Sequence, residues 1–221
     1  MQKLTNLFFK KQNMKKKSLN VRKKIHNNLL DHLKDQKINK IYNKFSENIS
    51  ETKGEKFIAG AISGGPDSLA LAFLLKCFGI KKSKNIKFYL VDHKLRKHSS
   101  IEAITVRNKL IKFDINCKII KWIGKKPKSN IQSKARDARY KLLYKECLKN
   151  KVKVLLTGHH LDDLNENFYL RVLRGSGLKG LASFNKIKSK YNEKLLIFRP
   201  LIQINKKELI YLTNKVFNFY V

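Results

Sequence analysis

The sequence predicts an α/β fold, namely a doubly wound parallel sheet with flanking helices, preceded by a basic helical N-terminal arm. From Lys56 onward, short apolar runs alternate with longer amphipathic stretches, which is the pattern of successive β-α units. Residues 1–55 differ, because they are rich in lysine and contain no proline and no glycine before Gly54, which favours helix. We therefore predict a helical extension at 1–55 and a main domain at 56–221.

Each element has its own signal. The arm carries a loose apolar stripe at helical spacing, formed by Ile25, Leu29, Leu33, Ile38, Ile41 and Phe45. The predicted strands are Phe57–Ile62, Ile86–Val91, Ile115–Trp122 and Val152–Thr157, with a weaker one at Leu195–Phe198. The predicted helices are Asp67–Phe78, Ser99–Lys112, Ile131–Lys149 and Asp162–Arg174, with a last one at Asn205–Lys215. In such sheets ligands bind outside the carboxyl ends of the strands, so polar residues after each strand are the first candidates.

Composition narrows the class of protein. The formal net charge is +34, and such a chain attracts polyanions, although codon bias toward lysine, asparagine and isoleucine is an open alternative explanation. With 42% hydrophobic residues the chain can still build a core. The longest apolar runs are far shorter than the roughly 20 residues of a membrane span. The three cysteines are dispersed, without a C-x-x-C pair, which suits a reducing compartment. We expect a cytoplasmic location, or an organelle matrix or stroma if the source is organellar.

The strongest local motif follows the first predicted strand and consists of Ser63, Gly64, Gly65, Pro66, Asp67 and Ser68. The glycines permit a tight turn with free backbone N–H groups, and Pro66 suits the first position of a helix whose N-terminus attracts anions. The loop lacks the lysine of a Walker motif. Asp67 would repel phosphate unless a hard cation such as Mg²⁺ lies between them. The alternative is an ordinary capped βα turn.

An acidic segment follows the fourth predicted strand. On a helix, His159, Asp162, Asp163 and Glu166 would share one face, at spacings of three and four residues. Carboxylates this close favour a bound cation, either Mg²⁺, a substrate ammonium or an arginine. An exposed acidic helix start is the alternative, and the H-E-x-x-H pattern of a zinc hydrolase is missing.

Three further segments lie at predicted strand ends or helix ends. Asp92–Arg96 follows the second strand, and Ala135–Tyr140 carries Arg136 and Arg139 on adjacent turns, where guanidinium groups suit phosphates. Arg174–Leu181 is a glycine-rich loop beside a cation, which is also ordinary chemistry for a helix C-terminus.

Taken in order, these motifs resemble those of the tRNA(Ile)-lysidine synthetase family, within the N-type ATP pyrophosphatase or PP-loop group. The phosphate loop is common to that whole group, whereas the His-His-Leu-Asp-Asp segment followed by Arg-Gly-Ser-Gly is more specific. The resemblance covers about residues 57–212 and implies an adenine nucleotide alpha hydrolase-like fold, with residues 56–221 as the catalytic domain. Longer members continue into C-terminal tRNA-recognition domains, which we do not expect in this chain.

The resemblance implies a ligase that uses ATP and Mg²⁺. It would adenylate the wobble cytidine of a tRNA(Ile) with a CAU anticodon, and free L-lysine would then displace AMP to give lysidine. By similarity, Ser63–Ser68 would bind ATP, Asp67 would also hold Mg²⁺, and Arg139 and Asp163 would act at the reaction centre. His159, Asp162 and Arg136 are supporting candidates.

Two other functions remain possible from the sequence. A tRNA 2-thiolation enzyme of the same group would need a reactive cysteine or a cysteine cluster at the active edge. A catalytically degenerate tRNA-binding protein would keep only the fold and the basic surface. The N-terminal arm is likewise either a basic helix packed on the main domain or an RNA-contacting segment.

Overall fold

The computed structural model describes residues 18–52, 54–55, 57–124, 127, 129–173, 188–192 and 194–221. Its centre is a six-stranded sheet with the spatial order β3-β2-β1-β4-β6-β5. The strands are β1 (Phe57–Ile62), β2 (Asn85–Asp92), β3 (Cys117–Lys121), β4 (Val154–Leu156), β5 (Lys188–Tyr191) and β6 (Leu195–Phe198). All neighbouring pairs are parallel except β5 with β6. The predicted parallel α/β fold is therefore confirmed.

Helices cover both faces of the sheet. They are residues 18–31 (α1), Gln36–Ile49 (α2), Pro66–Lys81 (α3), Ser99–Ile111 (α4), Ile131–Lys149 (α5), Leu161–Leu173 (α6) and Lys206–Phe217 (α7). Alternate strand residues enter two separate apolar clusters, since Ile58 belongs to the cluster of α2, α3, α4 and α7, and its neighbour Ala59 to the cluster of α5. This alternation is the period of two expected for strands that are buried on both faces.

Helix α3 is buried on every side. The seven residues from Leu69 to Leu75 have no exposed surface, because the sheet covers one side and α2 and α7 cover the other. A helix that is hydrophobic all round requires such a position. The uniformly apolar run after Ser68 therefore indicates that α3 is the central helix behind the Ser63–Ser68 loop.

The N-terminal helices belong to the same core. Of the predicted stripe, five residues are at least nine-tenths buried and Ile25 is partly buried, all in the cluster that contains α3. Asp114 fixes α1 in place, because its carboxylate accepts from Arg22 at 2.8 Å and from Lys76 at 2.6 Å, and lies 2.7 Å from His26. The predicted amphipathic arm is thus confirmed as helical within residues 18–49, as two helices separated at Asp35, and residues 1–17 lie outside the described part.

The element bounds differ from the prediction by a few residues. Helix α3 extends to Lys81, whereas β3 and β4 are shorter than the apolar runs that contain them. Strand β5 was not predicted, because Lys188–Tyr191 has no apolar run and forms its ladder only against β6. Within the described residues, no helix is both long enough and apolar enough to cross a membrane.

Candidate active site

The candidate site lies where the winding of the sheet reverses. From β1 the chain moves outward through β2 to β3, and it then returns to the other side of β1 through β4 and β6. The ends of β1 and β4 are therefore neighbours at the point where parallel sheets bind ligands. The Ser63–Ser68 loop follows β1, and the segment from Thr157 to Asp163 follows β4. The topology thus brings the two strongest sequence motifs together.

The hydroxyl of Ser68 organises the loop from within. Its Oγ accepts from the backbone N–H groups of Ser63 at 3.0 Å and Gly64 at 3.1 Å and from the Ser63 hydroxyl at 3.1 Å. It also donates to the carbonyl of Gly65 at 2.9 Å. The amides of Gly65, Asp67 and Ser68 belong to the helix start, where no intrahelical acceptor exists. These three amides are therefore better placed to bind an anion than the Gly64 amide, which the sequence had suggested.

Gly64 is required by its backbone conformation and by its neighbours. Its φ is +95°, which side-chain-bearing residues rarely adopt. A Cβ atom at this position would lie 2.8 Å from Cγ2 of Val106 and 2.5 Å from Cγ2 of Val221. The carbonyl of Gly64 also accepts from the backbone N–H of Val221 at 3.1 Å. Close packing on α4 and on the segment after α7 therefore sets the shape of the loop.

A second close approach joins the two motifs. A Cβ atom on Gly158 would lie 3.2 Å from the backbone of Asp67 and Ser68. The chain after β4 can therefore run directly beside the first turn of α3. This contact brings the side chain of His160 to Asp67.

His160 is the centre of an acidic cluster. The residue is 3% exposed, and Nε2 of its imidazole lies 3.4 Å from Oδ2 of Asp67 and 3.7 Å from Oδ1 of Asp163. Its Nδ1 lies 3.6 Å from Oδ2 of Asp162 and accepts from the Asp162 backbone N–H at 3.2 Å. Burial alone would lower the pKa of His160, but the carboxylates of Asp67, Asp163 and Asp162 outweigh it and raise the pKa. We call these four residues the acidic pole.

Backbone contacts hold the acidic pole in position. Asp163 Oδ2 accepts from the His160 backbone N–H at 3.0 Å, and Asp162 Oδ2 accepts from the Lys206 backbone N–H at 2.6 Å. His160 also forms an isolated parallel bridge with Leu201, which continues the β4–β6 pairing. The second carboxylate oxygen of Asp67, Oδ1, is buried without a hydrogen-bond partner among the described residues. That oxygen is therefore an acceptor left unused by the described residues.

His159 faces a different environment. Its Nδ1 lies 2.9 Å from the hydroxyl of Thr157. Burial lowers its pKa to about 4, and the positive charges of Arg199, Arg136 and Arg139 contribute to the shift. We call His159 and these three arginines the basic pole. Two adjacent histidines thus face opposite charges at one edge of the sheet.

Arg139 is held by a third histidine. Its Nε donates to Nε2 of His93 at 3.1 Å, so this nitrogen must be unprotonated. Burial lowers the pKa of His93, and the charge of Arg139 lowers it further. The neighbouring Asp92 accepts from the hydroxyls of Ser99 and Ser100, at 2.8 and 2.6 Å, and therefore anchors the start of α4. The segment after β2 therefore supports the basic pole.

One prediction about the acidic segment is wrong. His159 does not share a helix face with the carboxylates, because α6 begins at Leu161 and both histidines precede it. The imidazole among the carboxylates is His160, which the sequence pattern did not single out. Asp162 and Asp163 lie where expected, whereas Glu166 is exposed. Of the other predicted segments, Arg174–Leu181 lies outside the described residues.

Fold and site together define an α/β domain of the adenine nucleotide alpha hydrolase-like class. The glycine loop and the helix N-terminus behind it, at the switch point of a parallel sheet, are the features that define this class. The chain belongs to the PP-loop domain family, whose model matches residues 30–221. The match begins within the helical extension.

Two curated relatives with the same name are similar to most of this chain. The chain is 41% identical over 152 residues to the tRNA(Ile)-lysidine synthase of Orientia tsutsugamushi (strain Boryong), covering 69% of this chain and 34% of the relative. It is 39% identical over 175 residues to the protein of the same name from Rickettsia felis, covering 77% and 40%. The chain thus spans between a third and two fifths of the length of these relatives.

Solved structures agree on the fold. The U34-tRNA thiolase NcsA from Methanococcus maripaludis, solved with its [4Fe-4S] cluster, is similar with a TM-score of 0.71 at 22% identity, over 84% of this chain and 65% of that one. An FMN adenylyltransferase from Candida glabrata, in complex with FMN and AMPCPP, gives a TM-score of 0.54 at 12% identity, over 87% and 65%. At these identities the likeness concerns the architecture alone.

Proposed function

We propose that this chain catalyses the ATP-dependent ligation of L-lysine to C2 of the wobble cytidine in a tRNA(Ile) with a CAU anticodon. The product would be lysidine, which lets the tRNA read AUA as isoleucine. The observation that carries the proposal is the pairing of an acidic and a basic pole beside the PP-loop. The names of the curated relatives support the same reaction.

The first step forms an adenylated tRNA. The cytidine O2 attacks the α-phosphorus of ATP, the bond to the β-phosphate oxygen breaks, and pyrophosphate leaves. Negative charge that grows on the phosphate would be stabilised by the first-turn amides of α3 and by the guanidinium groups of Arg139 and Arg199 in the basic pole. Arg139, oriented by His93, is the best-placed of these groups.

The residues present fit a magnesium ion at Asp67. Its buried Oδ1 lacks a partner among the described residues, and carboxylate oxygen is a ligand that Mg²⁺ prefers. The described residues contain no group of three side chains that could hold a metal without other ligands. Mg²⁺ usually completes its shell with substrate phosphates and water, so Asp67 would suffice as the protein ligand. When bound, the ion would neutralise phosphate charge.

The second step needs a deprotonated lysine amine. The amine attacks C2 of the cytidine, AMP leaves with the O2 atom, and the amine loses its proton. The carboxylate of Asp163 is partly exposed and fixed by the His160 backbone N–H, so it can bind the ammonium group and accept this proton. Asp162 and His160 would supply the surrounding charge.

The cysteines argue against the 2-thiolation alternative. Cys77, Cys117 and Cys147 are all buried, and burial raises the pKa of each thiol to about 12. A cysteine that carries sulfur must form a thiolate at an accessible site. The degenerate-binder alternative is disfavoured because the loop, Asp67 and Asp163 are all present, and both carboxylates lie within 4 Å of His160 beside the loop.

A two-product assay separates the steps. The purified chain is mixed with ATP, Mg²⁺ and transcribed tRNA(Ile), with or without lysine, and pyrophosphate and AMP are measured separately. We expect Asp67→Asn to lose both products by roughly 100-fold or more. Asp163→Asn should keep a lysine-independent pyrophosphate burst but lose AMP release by roughly 100-fold or more.

The matched control is Asp31→Asn, which removes an exposed carboxylate whose ion pair, among the described residues, is with Lys34. It should leave both products unchanged. Absence of tRNA-dependent pyrophosphate from the unaltered chain would contradict the synthetase proposal. Turnover that needs a sulfur donor instead of lysine would favour the thiolation enzyme.

A further inference from the structure

A ladder of rings runs along α5, beside the basic pole. Arg136 lies over the ring of Tyr140, with 5.6 Å between Cζ and the ring centroid. Tyr140 stacks with Tyr191 of β5 at a centroid distance of 6.1 Å and an interplanar angle of 26°. Tyr144, one turn further along α5, contacts the same Tyr191 ring at 5.3 Å. The edge strand that the sequence did not predict thus supplies a ring that stacks on Tyr140 and meets Tyr144 at a tilt of 57°.

The end of this ladder that carries Arg136, in the first turns of α5, lies beside the site. Helix α5 follows β3, so its first turns lie at the carboxyl edge of the sheet, where Arg136 contributes to the lowered pKa values of His159 and Arg139. In both cases burial is the larger cause. Arg136 is exposed, and within the described part of the chain no carboxylate pairs with it. Its guanidinium group is therefore available to a ligand at the site.

We propose that Arg136, supported by the stacked pair of Tyr140 and Tyr191 with Tyr144 packed against it, is a shelf on which an unpaired RNA base beside the reacting nucleotide stacks. This inference rests on the proposed function and names a specific contact with its substrate. Proteins bind unpaired bases by stacking them on aromatic rings and on the planes of arginine side chains. Binding a phosphate would need only the positive charge of Arg136, and the three half-buried rings behind the guanidinium group would not strengthen that contact.

The shelf explains why an arginine stands here in a chain dominated by lysine. A guanidinium group is planar and stacks on rings and bases, whereas the lysine ammonium is a point charge. The stack behind Arg136 restricts its side chain and so reduces the entropy lost on binding. In this account Arg136 positions the anticodon loop, and the chemistry falls to the groups around it.

The test uses a fluorescent base next to the reaction. The CAU anticodon has adenine directly after the wobble cytidine, and 2-aminopurine can replace it in an anticodon stem-loop. Stacking quenches 2-aminopurine fluorescence, so quenching on addition of the full chain reports the proposed contact. We expect Arg136→Ala to abolish most of the quenching and to weaken binding roughly 5- to 100-fold.

Two conservative variants separate stacking from charge and from packing. Arg136→Lys keeps the charge and should lose the quenching, while Tyr191→Phe keeps the ring and should retain it. The matched control is Tyr211→Ala, since Tyr211 is also half-buried with lysines over its ring but belongs to α7. It should leave the quenching unchanged.

Quenching that survives Arg136→Lys, or that is absent in the unaltered chain while pyrophosphate is still produced, would overturn the shelf. Quenching without any tRNA-dependent pyrophosphate would instead support the shelf and contradict the proposed ligation. The two failures are therefore distinguishable.

Discussion

Replacing Gly64 with alanine tests the packing that shapes the PP-loop. The new Cβ would lie 2.8 Å from Cγ2 of Val106 and 2.5 Å from Cγ2 of Val221. Val221 is half exposed and can shift, but Val106 is 1% exposed and is held in α4 by its neighbours. A φ of +95° adds backbone strain for any residue with a Cβ atom.

The two costs can be estimated separately. A left-handed backbone costs roughly 1–2 kcal/mol for a residue with a side chain. Forcing an extra methyl into a packed site costs roughly 1–3 kcal/mol. Gly64→Ala should therefore lower the free energy of unfolding by roughly 2–5 kcal/mol, which for a chain of this size is a fall in melting temperature of roughly 4–20 °C.

Gly65→Ala is the matched control. Gly65 has a φ of −71°, and the nearest atom to its added Cβ is Ser63 Oγ at 3.8 Å. Gly65→Ala should lower the free energy of unfolding by no more than about 1 kcal/mol, the ordinary penalty of alanine at a helix N-cap. Both variants are compared by urea and thermal unfolding without ATP. Equal destabilisation by the two variants would refute the packing argument.

Three further predictions concern charge. His159 is neutral in the fold, because its pKa is lowered from 6.5 to about 4. Its contribution to the free energy of unfolding is therefore fully present above pH 6.5, and roughly 3 kcal/mol of it is lost as the pH falls toward 4. Unfolding between pH 7 and pH 4 should show less of this loss in His159→Gln. Asp114→Asn should lower the free energy of unfolding by roughly 2 kcal/mol at neutral pH. Hydrogen bonds from Lys76, His26 and Arg22 outweigh burial and lower the pKa of Asp114 from 3.8 to about 2. An unchanged urea midpoint would contradict the anchoring of α1. Lys→Ala changes within residues 10–24 should weaken tRNA binding and reduce its salt dependence without sequence preference, and an unchanged salt slope would leave this segment with a packing role only.

Most of the fold could be predicted because its signals are local. Apolar runs such as Phe57–Ile62 match β1 to the residue, and the glycines and Pro66 marked the turn into α3. The polar segments after β1 and β4 met in space because parallel strands end at one edge of the sheet. Asp67, Asp162 and Asp163 therefore lie together as expected.

The rest depended on contacts that sequence spacing does not encode. The histidine among the carboxylates is His160 and not His159, because α6 begins only at Leu161. The close approach of Gly158 to Asp67 and the bridge of His160 to Leu201 set its position instead of helical spacing. The sequence alone did not indicate that Arg199 would join Arg136 beside His159. One signal that could have found His160 is Gly158, since a glycine after a buried strand often marks a close backbone approach.

The most direct test of the central proposal is the product nucleoside itself. Transcribed tRNA(Ile) with a CAU anticodon is incubated with the chain, ATP, Mg²⁺ and isotopically labelled lysine, then digested to nucleosides for mass spectrometry. We predict that the wobble cytidine gains one labelled lysine with loss of water, and that a transcript with a GAU anticodon gains none. An unmodified wobble cytidine, under conditions where the chain binds both ATP and the transcript, would contradict it.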